Sequence, residues 1–177
     1  MSSESDTVVI RHADPGDADA ILRLFDEAIA WFVSIGNVQQ WGTEPFSTQQ
    51  RQIDRVTGWC AEPGAWVAAH PEIGVCGALV LGEANDYVPP ATEPELYVRL
   101  LIGSRDPRAK GIGRRMLEFA DDQAEEAGAG LLRVDCYAGG SGDLVRFYES
   151  CGYVRAGEFS VGEWPGQVLE RRLRPAR

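Results

Sequence analysis

Positive charge is scarce in this chain. Seventeen lysines and arginines stand against 27 aspartates and glutamates, giving a formal charge of −10 and a sequence pI near 4.7. Such a surface repels nucleic acid and anionic membrane at long range, so neither is expected as a partner, and it favours cationic small molecules or basic peptide segments. Histidine is scarcer still: His12 and His70 are the only two. His12 follows a strand and His70 sits at a hairpin turn, so both are read as structural or solvent-facing, and no metal site is expected. The four cysteines, Cys60, Cys76, Cys136 and Cys151, lie far apart with no CxxC pair, which fits neither a disulfide framework nor a zinc knuckle. No run of about 18 apolar residues occurs, and the opening MSSESDT lacks the basic and apolar regions of a signal peptide. A soluble cytoplasmic protein with reduced thiols is expected. What is present, 177 residues at 44% hydrophobic content, suits one globular domain with a sizeable core. That domain is placed at 7–173, with 1–6 a disordered tail and 174–177 a short C-terminal tail.

The punctuation of the chain predicts an α/β order. TVVIR is a short β-branched strand. Asp14 is placed to cap and Pro15 to open a long helix, in which Ile21, Phe25, Ala28, Ile29 and Phe32 recur at helical spacing up to Gly36. Ser47 and Gln50 have capping-box spacing ahead of a second helix running to about Cys60. AWVAAH and GVCGALVLG, separated by a turn, predict an antiparallel hairpin. After the proline-rich loop ANDYVPPATEP come a strand ELYVRLLIG, a helix to about Ala127, a strand LLRVDCY and a short helix DLVRFYESCG. Strand, helix, strand with this crossover length predicts a parallel pair. YVRAGEF and QVLERRL predict two closing strands.

Against the acidic background, RDPRAKGIGRRML, Arg105 to Leu117, holds five positive charges and two glycines spaced GxG. It falls where a strand turns into a helix. A helix N-terminus presents unpaired amides and partial positive charge, and glycines there hold no side chain in an anion's way. Phosphate is the ligand such a turn suits. Two plainer alternatives stand beside it: glycines that only shape a turn, and a nucleotide loop, although the Lys-Ser/Thr ending of a P-loop is missing.

RAKGIG after LYVRLLIGS, followed by RRMLEFADDQAEEAG, resembles the acetyl-CoA signature RxxGxG/A of the GCN5-related N-acetyltransferases (GNAT). LLRVDCY followed by LVRFYESCGYVRAGEF resembles the second motif of that family, so the likeness spans Thr7 to Leu173. The details look like a bacterial branch of unassigned substrate. The resemblance implies a mixed central sheet of about seven strands with splayed, parallel fourth and fifth strands and about four helices. It implies acetyl-CoA as co-substrate and direct transfer of acetyl to an amine of a small molecule or peptide. A homodimer is compatible with it, and so is a non-catalytic acyl-CoA-binding protein of the same fold.

Carried over residue by residue, the backbone of Leu101, Ile102 and Gly103 would bind pantetheine, and the turn of Arg108, Ala109, Lys110, Gly111, Ile112, Gly113 and Arg114 would hold the pyrophosphate. Ser141 stands where the family often has Asn; its hydroxyl either touches the pantetheine arm or caps the following helix. Tyr148 matches the acid that protonates the departing thiolate, and a phenol of reference pKa about 10 is protonated at neutral pH. The alternative for Tyr148 is plain packing. The Leu101 amide is the natural oxyanion donor. Where a family base exists it often sits at the position of Tyr97, a poor base, so Glu95 acting through water is the candidate, against a role as a strand-end charge. The family recognises acceptors with the segment between the first two helices. There Trp41 and Glu44 would suit a cationic amine, unless Trp41 and Phe46 close the core. Trp164 is either another wall or a turn anchor.

Overall fold

The computed structural model describes residues 7–173. The proposed tails, 1–6 and 174–177, lie outside the described residues. Seven strands and four helices follow one another as β1 (Val9–His12), α1 (Ala18–Ser34), α2 (Gln50–Cys60), β2 (Ala65–His70), β3 (Gly74–Gly82), β4 (Glu95–Gly103), α3 (Ile112–Glu126), β5 (Leu131–Tyr137), α4 (Asp143–Ser150), β6 (Val154–Val161) and β7 (Trp164–Arg172). The sheet order is β1-β2-β3-β4-β5-β7-β6, with β4 and β5 parallel and the β5–β7 and β6–β7 pairs antiparallel. Among the described residues no helix is long and apolar enough to cross a membrane.

The chain divides into two compact units, Met1–Val80 with Leu100–Met116, and Leu81–Arg99 with Leu117–Arg177. In the first, α1 buries Ile21, Phe25, Ala28 and Ile29 of the predicted stripe together with Leu22 and Leu24, while Phe32 is partly buried. That stripe packs with Val56 and Trp59 of α2 and with Val67, Ala78, Val80, Leu100 and Ile102 of the strands. Asp14 caps as predicted, but it caps a 3-10 turn, Pro15–Asp17, in a reciprocal box with Asp17. Asp17 in turn takes two bonds from Arg11, at 2.8 and 2.9 Å. The Ser47–Gln50 box does not form. Residues 46–48 are a 3-10 turn, α2 has Gln49 at its N-cap without a side-chain bond, and the Ser47 amide donates to Asp26 instead.

In the second unit, seven consecutive pairs join β5 to β7, from Leu131↔Arg172 to Tyr137↔Gly166. Val88, Tyr97 and Val168 form a small buried cluster with Phe159 against it. Tyr148 and Tyr153 are buried edge to face, with ring centroids 5.8 Å apart.

Candidate active site

The parallel pairing of β4 with β5 covers four positions, from Glu95↔Leu131 to Val98↔Val134. Yet β4 continues to Gly103 and β5 to Tyr137. The register therefore stops five residues before β4 ends, at the segment that holds Leu101, Ile102 and Gly103. Ile102 is buried, while Leu101 and Gly103 keep partial exposure. A side chain at Gly103 would meet Ile112 Cγ2 at 2.7 Å, so its absence lets the first turn of α3 press against the strand end.

After β4 the chain is pinned before it turns. Glu27 of α1 accepts from the Ser104 hydroxyl at 3.1 Å and from the Arg105 amide, and the Arg105 guanidinium lies 3.5 Å over the Trp31 ring. Asp106 then caps a 3-10 turn, Pro107–Ala109, accepting from the Arg108 amide at 2.9 Å. Gly111 follows at φ +84°, with nothing within 4 Å of where a Cβ would stand. The first bond that closes on it is Arg115 N–H to Gly111 C=O at 3.1 Å. The amides of Gly111, Ile112 and Gly113 thus precede the first intrahelical donor, Arg115 N–H, and lie at the positive end of the α3 dipole. Unpaired amides at a helix start are the kind of arrangement that suits an anion.

The side-chain charge of the turn is distributed differently from the sequence expectation. Arg108 donates from Nε and Nη2 to Asp106, at 3.0 and 2.8 Å, and stands 3.6 Å from Glu72. Hydrogen bonds from the Arg108 side chain and amide pull the Asp106 carboxyl down to about 2. Arg108 therefore shapes the turn through Asp106, while Lys110 and Arg114 are exposed beside the glycines. Arg115 ties the helix start to Val8, just before β1, by donating to its carbonyl at 2.7 Å.

In the second unit Tyr148 lies on α4, 4% exposed, with Phe147 edge-on at 5.2 Å. Burial pushes its phenol well above the usual value, helped by Cys136 and Tyr153 nearby, so the hydroxyl stays protonated. Ser141 is exposed and donates to Asp143 at 2.7 Å. The capping role does not appear, because α4 has Gly142 at its N-cap and no side-chain cap bond. Glu95 accepts from Arg133 through both carboxylate oxygens, and Arg133 also donates to the Pro89 carbonyl at 2.8 Å. This tie between β4 and β5 competes with any role of Glu95 as proton acceptor. Tyr97, fully buried, donates to Asp135 on β5. Sequence patterning passes over Arg133 and Asp135, although two charges in the otherwise apolar LLRVDCY were a signal that partners awaited them.

Of the candidates for acceptor recognition, Trp41 is half-buried against Phe25, Phe32 and Phe46, at 5.2, 5.5 and 6.1 Å. It borders a cavity of about 290 Å³ that Phe46, Gln52 and Trp59 also line. Phe46 belongs to the core, and Glu44 is exposed on the loop. Trp164 lies 5.5 Å from Tyr137 and 6.2 Å from Phe159. His12 stacks on Trp66 at 3.7 Å, and His70 Nδ1 accepts from the Glu72 amide at 3.1 Å.

The chain thus combines a parallel strand pair that stops short with a glycine-shaped turn at a helix start. The family model described as Acetyltransferase (GNAT) family matches residues 24–153, and the chain belongs to that family, whose acyl donor is acetyl-CoA. No curated protein matches it in sequence. Solved structures share its fold at low identity. One is a protein from Salmonella typhimurium described as an acetyltransferase with its cofactor acetyl-CoA, at 17% identity, TM-score 0.63, covering 96% of this chain and 95% of that one. A second is a ribosomal-protein-alanine N-acetyltransferase from Brucella melitensis, at 19% identity and TM-score 0.62, covering 93% and 99%. A third is an agmatine N-acetyltransferase, at 15% identity and TM-score 0.65, covering 94% and 99%.

Proposed function

We propose that this protein is a cytoplasmic N-acetyltransferase that moves the acetyl group of acetyl-CoA directly onto a primary amine of a cationic small molecule or peptide. The observation that carries the reading is the turn at Gly111, a left-handed glycine with open space before it at the head of α3. The amides of Arg108 to Arg114, with Lys110 and Arg114 beside them, would hold the pyrophosphate, and the backbone of Leu101 to Gly103 the pantetheine arm. The Leu101 amide would steady the oxyanion. Tyr148 would give its proton to the thiolate. Ser141, in place of the family Asn, would contribute a shorter contact to the arm.

The amine must be neutral to attack. At pH 7 that costs roughly 4.6 kcal/mol for a lysine-like amine and about 1 kcal/mol for an α-amine. Glu95, through a water, is the proposed proton acceptor, in competition with Arg133; the lower the acceptor pKa, the less such a base matters. Acceptors of both kinds, a peptide α-amine and a small cation, occur among the proteins of this fold. Trp41 and Glu44 are proposed to meet the acceptor at the loop after α1. The pairing of Glu95 and the serine at position 141 favour, as a second reading, an acyl-CoA-binding protein without turnover. Incubation with acetyl-CoA and a panel of cationic, neutral and anionic primary amines decides between them. Release of free thiol with the cationic amines is expected. Tight acetyl-CoA binding without thiol release from any amine would establish the second reading.

A further inference from the structure

Several carboxylates of the second unit are held by arginine. Arg133 holds Glu95, Arg171 holds Asp121 at 3.1 Å, and Arg172 holds Glu93. Asp135, on strand β5, is not among them. It sits in the middle of β5 and is only partly exposed, and its partners are the Tyr97 hydroxyl, the Tyr87 hydroxyl at 3.4 Å and the Asn85 side chain. No arginine, lysine or histidine forms an ion pair with it among the described residues. A carboxylate taken partly out of water without a cation loses solvation that neutral donors return only in part. Burial accordingly pushes its pKa up in spite of the hydroxyl bonds.

Around this carboxylate the same unit assembles aromatic faces. Tyr87, half exposed, stacks on Phe159 at 5.2 Å. Phe159 lies 6.2 Å from Trp164, and Trp164 5.5 Å from Tyr137, two residues along β5 from Asp135. Phe159 lies flat over Gly166 of β7, where any side chain would stand within 2.3 Å of the ring. A carboxylate without a cation beside packed aromatic faces is the combination that recognises an organic cation.

We infer that Asp135, oriented by Tyr97 and Tyr87 and flanked by Tyr87, Phe159 and Trp164, captures the acceptor in its ammonium form, ahead of the proton loss that precedes attack, and that the acceptor is a primary alkylammonium whose carbon chain lies against those rings. This rests on the amine-acetylating reading above and adds the residue that selects the cation. Binding is read by calorimetry of the full-length protein saturated with coenzyme A, using n-butylammonium and its neutral counterpart 1-pentanol as probes. Asp135→Asn keeps the shape and an acceptor oxygen but removes the charge, so n-butylammonium affinity should fall about 10- to 150-fold, with 1-pentanol binding unchanged. Tyr87→Leu, at an exposed site, keeps the question open should Asp135→Asn fail to fold; it should weaken the cation about two- to fivefold and leave the alcohol alone. Cation affinity unchanged in either folded variant overturns the inference, even if the wild-type protein acetylates amines. Asp135-dependent cation binding in a protein that releases no thiol with any amine upholds the inference and overturns the acetylation reading instead.

Discussion

Replacement of Gly111 by alanine separates the shape of the phosphate turn from its chemistry. Gly111 sits at φ +84° with no atom within 4 Å of an added Cβ, so a methyl group meets no neighbour and the whole cost lies in the backbone. Holding an L-residue in the left-handed region costs about 1–2 kcal/mol. For a chain of this size each kcal/mol lowers the melting midpoint by about 2–4 °C, so the variant should melt about 2–8 °C lower and remain folded. An alanine that relaxes out of the strained φ turns the Gly111 and Ile112 amides away from their common focus, and one that does not relax puts a methyl into the open space the anion needs. Either way at least one charged hydrogen bond is lost, about 1.5–3 kcal/mol, and the acetyl-CoA dissociation constant should rise roughly 10- to 150-fold. Calorimetric titration and a thermal melt on one preparation read both numbers. A lowered midpoint with unchanged acetyl-CoA affinity would refute the phosphate role of the turn, and an unchanged midpoint would refute the backbone argument.

Three further substitutions probe the second unit. Tyr148→Phe should leave acetyl-CoA affinity unchanged and lower kcat by about 10²–10⁴; because burial raises the phenol pKa, the wild-type protein should show no loss of the acid form up to about pH 10, and full kcat in the variant would reduce Tyr148 to packing. Tyr153→Phe should raise stability by about 1 kcal/mol, because the Tyr153 hydroxyl is buried without a hydrogen-bond partner and its removal ends an unmet desolvation cost; a lower melting midpoint would show that the hydroxyl is satisfied in solution. Glu95→Gln leaves Arg133, whose side chain is 8% exposed, facing a neutral partner. Loss of stability with kcat retained for acceptors of low pKa would mark Glu95 as the tie between β4 and β5, whereas a fall in kcat that deepens with acceptor pKa, at unchanged melting midpoint, would mark it as the base.

Local patterns carried far along this chain. Apolar residues three and four apart announce α1 because one helical face must find the core, and Ile21, Phe25 and Ile29 are each at most 3% exposed. The GxG spacing announces the turn at Gly111 because a left-handed residue at a helix start is a demand a glycine meets alone. What remained hidden involves partners distant in sequence. The Ser47–Gln50 box looked complete, but a tertiary acceptor, Asp26, took the Ser47 amide 21 residues away. Arg108, three residues before Gly111, reads as a phosphate ligand, and only the fold shows that its guanidinium also stands beside Glu72, far away in sequence.

From sequence alone the order of strands and helices, the glycine turn between β4 and α3 and the family signature were determined, because each depends on residues within a turn or two of one another. Which carboxylate has a cation and which lacks one was decided only by tertiary structure. Glu95 and Tyr97 stand two apart on β4, and both find their partners 38 residues further along the chain. Parallel pairing sets Arg133 against Tyr97, so the guanidinium reaches Glu95, and Asp135, two residues further along β5, is left with neutral donors. A one-residue change of register would have exchanged those environments, and no local spacing encodes it.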